Sequence, residues 1–251
     1  MSHDLLARSA DLVTRYNASF TAVLADTPPL VRAAQSLRYQ VYCLERHFEE
    51  PDPQNNGLEH DDYDPQSVPG LLYFRHDPEP IGTARLILPL AQGESLPVHH
   101  LLRTSGVRTS HHFPNGTTAE VSRFSISKAF RRRASEAMNA VGLRPNQIPE
   151  LYTALPCLGL IQTMLRASIN SGITHWAAIM EPKLLRMLAT LGIHFHSIGP
   201  LVSHHGLRQP SFCSLAEMLQ MLAREKPQHW NIVTDNGELL PPEYFARRSA
   251  A

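Results

Sequence analysis

Hydrophobic positions along the chain alternate between helical and strand spacing. Over residues 4–16, Leu5, Leu6, Leu12 and Val13 recur at helical spacing with Asp4 near the start, predicting a short amphipathic helix. SFTAVLA at 19–25 reads as a strand. In the DTPPL after it, Thr27 can cap a helix and Pro28 can take its first position. Leu30, Ala33, Ala34, Leu37, Val41 and Leu44 form one stripe of that helix over 29–46. Residues 49–69 are polar, acidic and Pro-rich, and predict a loop. Strands are predicted at 70–75 and 80–90 around the turn HDPE, with 91–117 irregular and a cleanly alternating strand at 118–127.

RRR at 131–133 opens a basic connector running to about 149. Residues 150–171 predict a helix that is apolar on more than one face, and therefore central. THWAAIM at 174–180 is the next strand. A helix at 182–191 comes after it, with Pro182 at its start and Gly192 at its end. Residues 193–203 predict another strand and 214–224 a late helix. No repeat, low-complexity tract or linker divides the 251 residues. The expectation is a single α/β domain with a core at about 19–213, an N-terminal helix and a C-terminal extension.

Charge changes this picture. Lys+Arg and Asp+Glu number 23 each, so the net charge is zero, which argues against a generic nucleic-acid or membrane-surface binder. By segment, however, residues 1–80 carry −7, residues 81–190 carry +7, and 191–251 carry zero. Either the acidic part folds against the basic part, or the basic part meets an acidic partner. Cys43, Cys157 and Cys213 are widely spaced and odd in number, which favours a reducing compartment. With no signal-like start and no long apolar run, the expected location is the cytoplasm, with no integral membrane segment.

Several residues stand out chemically. Asp61, Asp62 and Asp64 crowd three carboxylates into LEHDDYD, and like charges this close need cations nearby or full solvation. Arg38 lies on an otherwise apolar helix, and Arg85 sits in the apolar strand GTARLIL, where arginine must be paired or face a cleft. Glu120 and Arg123 in AEVSRF are three apart on a strand, so they point to opposite faces unless a bulge intervenes. A carboxylate within a strand is a candidate general base. The fourteen histidines include His99–His100, His111–His112, His194, His196 and His204–His205, but no metal-ligand spacing occurs, so no metal site is expected. No GxSxG elbow is present, and Cys43 and Cys157 sit in apolar helical contexts unsuited to a nucleophile.

The order RYQVY, DDYD, GTARLIL, EVSRF resembles the autoinducer (acyl-homoserine lactone) synthases and their relatives, the long-chain N-acyl amino acid synthases. It is also similar to the acyltransferase associated with the PEP-CTERM/exosortase system. The likeness runs from about residue 20 to 205. It implies the GNAT-like acyltransferase fold: a mixed, mostly antiparallel sheet with splayed strands, flanked by helices. The family's arginine and following aromatic fall on Arg38 and Tyr42, and Phe48 stands where the family has tryptophan. Its paired aspartates fall on Asp61 and Asp64, its strand arginine on Arg85, and its glutamate and arginine on Glu120 and Arg123. The resemblance implies one network of Arg38, Asp61, Asp64, Arg85 and Arg123, with Glu120 as general base.

GNAT enzymes that use acyl-CoA cradle its pyrophosphate at a glycine-rich helix start. KAFRRRASEAMNAVG has no glycine in its first part. Lys128, Arg131, Arg132 and Arg133 instead suggest a dock for the phosphopantetheine arm of an acidic acyl carrier protein. A solvated basic turn or an RNA-contacting patch is the competing reading. No permanently bound cofactor is expected, and acyl-phosphopantetheine serves as donor substrate. Phe124, Ile126, Trp176, Ala178 and Met180 are candidates for the acyl pocket, or for ordinary core. The resulting expectation is an acyltransferase moving a long-chain acyl group from acyl carrier protein to an amino acid. The alternatives are homoserine lactone synthesis from S-adenosylmethionine, and a non-catalytic module that binds an acyl carrier.

Overall fold

The structure, a computed structural model, describes residues 11–75, 77–90, 96–104, 106, 113–114, 116–130, 132, 154–203 and 206–242. The first described helix, α1, spans Leu12–Ser19, with Asp11 rather than Asp4 as its cap: the Asp11 side chain accepts from Thr14 N. Residues 4–10 of the predicted helix lie outside the described residues. Strand β1, Phe20–Leu24, comes directly after α1.

Helix α2, Pro28–Arg38, begins as predicted, although Thr27 makes no side-chain capping bond. It then widens into a π-helical turn, Tyr39–Glu45, instead of staying α-helical to 46. Single π turns of this kind are common beside functional sites. Here the widened turn exposes the Tyr42 carbonyl, which accepts from both Phe48 N and Glu49 N and folds the chain back over the sheet.

Strands β2, Ser67–Phe74, and β3, Pro80–Ile87, form an antiparallel pair, so the predicted loop ends at 66 rather than 69. Helix α3, Pro97–Thr104, lies in the stretch predicted irregular. Its Val98 and Leu102 are buried with Leu96 and Ile87 in a small cluster. Strand β4 is Thr118–Ile126, and α4, Ala154–Asn170, is buried along most of its length. Then come β5, His175–Met180, and α5, Pro182–Thr190, closed at Gly192 with a positive φ of 87°. In place of one strand at 193–203 there are two short pieces, β6, His196–Ser197, and β7, Val202–Ser203, separated by Gly199–Pro200. The chain continues with β8, Leu207–Ser214, α6, Leu215–Glu225, and α7, Pro227–Thr234.

The hydrophobic pattern predicts neither β8 nor α7. The β8 segment LRQPSFCS carries a proline, and a proline argues against a strand inside a sheet. Pro210 is tolerated because β6 pairs only at Ser211 and Phe212 and ends there.

The sheet order is β1-β2-β3-β4-β5-β8-β6, with β7 also on β8. Every pairing is antiparallel except β4 with β5. Helix α4 packs across β1, β2 and β3 on one face, with α1 and α7 beyond it, while α2 covers β2 and β3 on the other. Burial on both faces explains why all eight residues of β3 are buried. Among the described residues no helix is long and apolar enough to cross a membrane.

The α4–β2 approach is unusually close. A Cβ built on Gly70 would lie 2.2 Å from Thr163 Oγ1 and 2.6 Å from Thr163 Cβ. Gly70→Ala is therefore expected to force α4 away from the sheet and destabilise the protein by about 1–3 kcal/mol, read as a lowered urea midpoint with unchanged m-value.

Candidate active site

Three arginines from three different elements converge under the chain that comes after the π turn. Arg38 at the end of α2 and Arg85 in mid β3 are each only 1% exposed. Arg123 on β4 is the third. Leaving a guanidinium unpaired at such depth is strongly unfavourable, and the acidic segment 59–64 supplies the partners. The Nη atoms of Arg38 donate to both Asp64 oxygens, and its Nε pairs with Glu59. Arg85 donates to both Asp61 oxygens, at 2.6 and 2.9 Å, and to Asp64 Oδ1 at 2.7 Å. Arg123 donates to Glu59 Oε1 at 2.7 Å, with Asp61 and Glu49 at 3.2 and 3.3 Å. The Arg123 guanidinium also lies 5.1 Å from the Tyr42 ring centroid, a cation–π contact made possible by the π turn. Asp62 takes no part in these bonds.

Glu59 does not stand out in the sequence pattern, although the charge count holds a signal. Three compensated arginines against Asp61 and Asp64 alone leave one positive charge over, and Glu59 and Asp62 are the remaining carboxylates of the segment 59–64. Glu59 is the one that enters the cluster: it is buried and bridges Arg38 and Arg123, as Asp64 bridges Arg38 and Arg85 and Asp61 bridges Arg85 and Arg123.

Glu120 and Arg123 line the same cleft because β4 carries a bulge. Arg85 pairs with Ser122 but Thr83 pairs with Ser125, so β4 has one residue more than β3 in this interval. Arg123 takes a positive φ of 50°, unusual for a residue with a side chain, and a bulge with such a residue re-aims the side chains after it. The guanidinium bonds hold that conformation in place.

The bulge also opens the sheet. Parallel pairing of β4 with β5 runs from Thr118↔His175 to Val121↔Ala178 and stops. Beyond it the strands diverge around a cleft of about 590 Å³. Asp61, Arg85, Glu120 and Ser122 line it on the polar side, together with Tyr42 and Phe48 from the π turn and beyond. Phe124, Ile126, Cys157, Met180, Leu184 and Met187 give it an apolar side. Residues of both sheet faces line one cavity, so it passes through the sheet.

Glu120 is 2% exposed, and its Oε2 accepts from Val98 N, 2.7 Å away, in the first turn of α3. Burial raises its pKa to about 7, against smaller opposing effects of the Val98 hydrogen bond and of Arg85 and Arg123. Asp61 is displaced the other way. Burial alone would raise it, but the hydrogen bonds and charge of Arg85 overcome that and hold it at about 2. Glu59 and Asp64 are likewise lowered, their arginine partners outweighing burial.

Of the other residues singled out in the sequence, Trp176 and Ala178 belong to the core and not to the cleft. Trp176 is fully buried, donates from Nε1 to Ser168 Oγ and stacks on Phe195. Both fall on the part of β5 that is still paired to β4, which shuts them away from the gap. Lys128 is held by the π turn: its Nζ donates to the Glu45 carbonyl and its backbone N to the Glu45 carboxylate. Arg132 is exposed, and Arg131 and Arg133 lie outside the described residues. Among the described residues no cluster of His, Cys, Asp or Glu could hold a metal ion.

The cluster sets an acid limit to stability. Because Asp61 is held below its ordinary 3.8, its contribution is complete above that value and is lost as pH falls toward about 2. Glu59 and Asp64 act in the same direction. Arg38→Met, which strands Glu59 and Asp64 with fewer partners, is expected to lose about 3–5 kcal/mol in urea unfolding at pH 7, and less at pH 3.

Comparisons with known proteins agree with this geometry. A family model described as an acetyltransferase (GNAT) domain matches residues 37–140. No curated protein matches the sequence. Among solved structures, TofI in a ternary complex with an inhibitor and MTA aligns with a TM-score of 0.57 at 20% identity, over 81% of this chain and 95% of TofI. FeeM, an N-acyl amino acid synthase from uncultured soil microbes, aligns at 0.51 and 16% identity, over 80% of this chain and 94% of its own. BjaI, a CoA-dependent acyl-homoserine lactone synthase solved with MTA, aligns at 0.53 and 18% identity, over 93% and 99%. The matched domain takes in the π turn, the arginine–carboxylate cluster and Glu120, and the chain has the GNAT fold in the form these three structures share.

Proposed function

We propose that the cleft transfers an acyl group from a thioester carrier to an amine, and that the chain is an N-acyltransferase. The observation that carries this reading is Glu120, a buried carboxylate with a pKa near 7 on the wall of a gap between splayed strands. The thioester lies in the gap. Its acyl chain runs toward Phe124, Ile126, Met180 and Met187, and the acceptor amine approaches from the polar side. Glu120 takes a proton from the ammonium, directly or through one water. The freed nitrogen attacks the carbonyl carbon, the C–S bond breaks, and the departing thiolate takes up the proton that the nitrogen sheds as it becomes an amide. Past Val121 and Ala178 the facing strand edges no longer pair with each other, so their backbone N–H groups are suited to the developing oxyanion.

The proposed donor is a long-chain acyl group on the phosphopantetheine of acyl carrier protein, and the proposed acceptor is an amino acid. One observation supports a carrier arm over a CoA pyrophosphate. The helical turn beginning at Lys128 has its leading N–H groups already taken, Lys128 N by the Glu45 carboxylate and Ala129 N by Ser127 Oγ. A pyrophosphate there would have to displace a carboxylate. The likeness to BjaI, which is CoA-dependent, supports a second reading, homoserine lactone synthesis from S-adenosylmethionine. Mass spectrometry of the products separates the two, since only the second releases methylthioadenosine.

Glu120→Gln preserves an acceptor for Val98 N–H and is expected to fold while losing about 10²–10⁴-fold in turnover. Full turnover in that variant would remove Glu120 from the chemistry. Stability should respond in the opposite direction. Folded Glu120 keeps its proton up to about pH 7 while the unfolded chain releases it near 4.5, so wild-type stability falls as pH rises through that window. The variant lacks that loss and should be the more stable protein at pH 8.

Val98→Pro removes the one N–H that favours the ionised form of Glu120. The Pro28–Pro29 start of α2 shows that this chain accommodates such a pair in a first turn. The acid limb of the rate profile is expected to move to higher pH, with the rate at high pH kept.

A further inference from the structure

A second group of arginines lines the cleft away from the compensated cluster. Glu181 comes directly after β5 and stands at the N-cap position of α5, yet its side chain makes no capping bond. Its Oε1 instead faces Arg208 Nη1 at 3.2 Å and Arg46 Nη1 at 3.6 Å. Both guanidiniums also lie over the ring of Phe48, 5.2 and 5.7 Å from its centroid. All four residues line the cleft. Arg208, 12% exposed on its side chain, is held in the wall, whereas Arg46 is at the rim.

The charge balance here differs from that around Glu120. There, three arginines meet Glu59, Asp61 and Asp64, with Glu49 beside them. Here two guanidiniums share one oxygen of one carboxylate, and among the described residues no other carboxylate pairs with either. The wall is therefore left with a net positive charge. Contact with the Phe48 face uses no N–H donor; Arg208 Nη1 also donates to the Leu207 carbonyl at 3.3 Å, and the Nε and Nη2 groups of both arginines are left to a planar or tetrahedral anion. Glu181 is three residues beyond Ala178, the last residue of β5 paired to β4, so it lies roughly 10 Å further along the strand. An anion held here is at the mouth of the cleft and not beside Glu120.

We propose that Arg46 and Arg208, both lying over Phe48 and partly masked by Glu181, form an anion subsite that holds the charged end of a substrate at the cleft mouth. It would take the carboxylate of an acceptor or the phosphate of a donor's pantetheine arm. The proposal rests on the acyl-transfer reading of the cleft, but it is tested by binding rather than by turnover.

Two pairs of probes, titrated calorimetrically against the full chain, distinguish the sources. They are N-lauroylglycine against its amide, and S-lauroyl-phosphopantetheine against S-lauroyl-pantetheine. The wild type is expected to bind the charged member of one pair about 10–100-fold more tightly. That preference should vanish in the Arg46→Gln/Arg208→Gln double variant. Glu181→Gln, which removes the one carboxylate facing both guanidiniums, should strengthen it several-fold, and a merely structural pair would not give opposite signs. A wild type that fails to distinguish either pair overturns the proposal, as does a preference surviving in the double variant or weakened in Glu181→Gln. Loss of transfer with the charge preference intact would count against the activity and leave the subsite standing.

Discussion

Two buried guanidiniums and a third partly buried beside them require three carboxylates, and the rest of the site results from meeting that demand. Arg38, Arg85 and Arg123 come from α2, β3 and β4, so no local segment can neutralise them. The loop that does so places Glu59, Asp61 and Asp64 within six residues. That loop cannot leave without stranding charges, nor can the arginines rearrange without stranding carboxylates. An irregular stretch with little regular structure is thereby tied to the sheet by its charges.

The same bonds open the sheet. Arg123 adopts a backbone conformation that a residue with a side chain rarely takes, and its partners hold it there. The resulting bulge diverts β4 from β5 just past Val121 and creates a cleft lined from both faces of the sheet. The electrostatic contrast within the site also has this source. Asp61, bonded by Arg85, stays ionised to about pH 2. Carboxylates facing one cavity are thus separated into a structural ion and a group able to exchange a proton near neutrality.

Much of the architecture is legible in the sequence because periodicity and end signals agree with the final packing. The stripe from Leu30 to Leu37, Pro182 and Gly192 around α5, and the many-sided apolar α4 are of this kind. The misses have physical causes. β8 carries a proline and little alternation, and is a strand only because β5 offers it an edge. Trp176 looks like pocket lining from residue type alone, but the part of β5 that bears it is still paired. Glu59 resembles any solvated glutamate until Arg38 and Arg123 close on it. Lys128 reads as part of a free basic run, yet Glu45, far off in sequence, holds it.

The sequence by itself determined which residues must be compensated: an arginine in an apolar strand, another on an apolar helix face and a crowded acidic loop are each untenable alone. It also determined the helices and strands whose spacing is strongly periodic. Only the tertiary structure decided which charges meet, where β4 bulges and where its pairing with β5 ends. Those outcomes depend on contacts between elements tens of residues apart. A local pattern can register an unmet charge, but its partner is decided by how the chain folds back on itself.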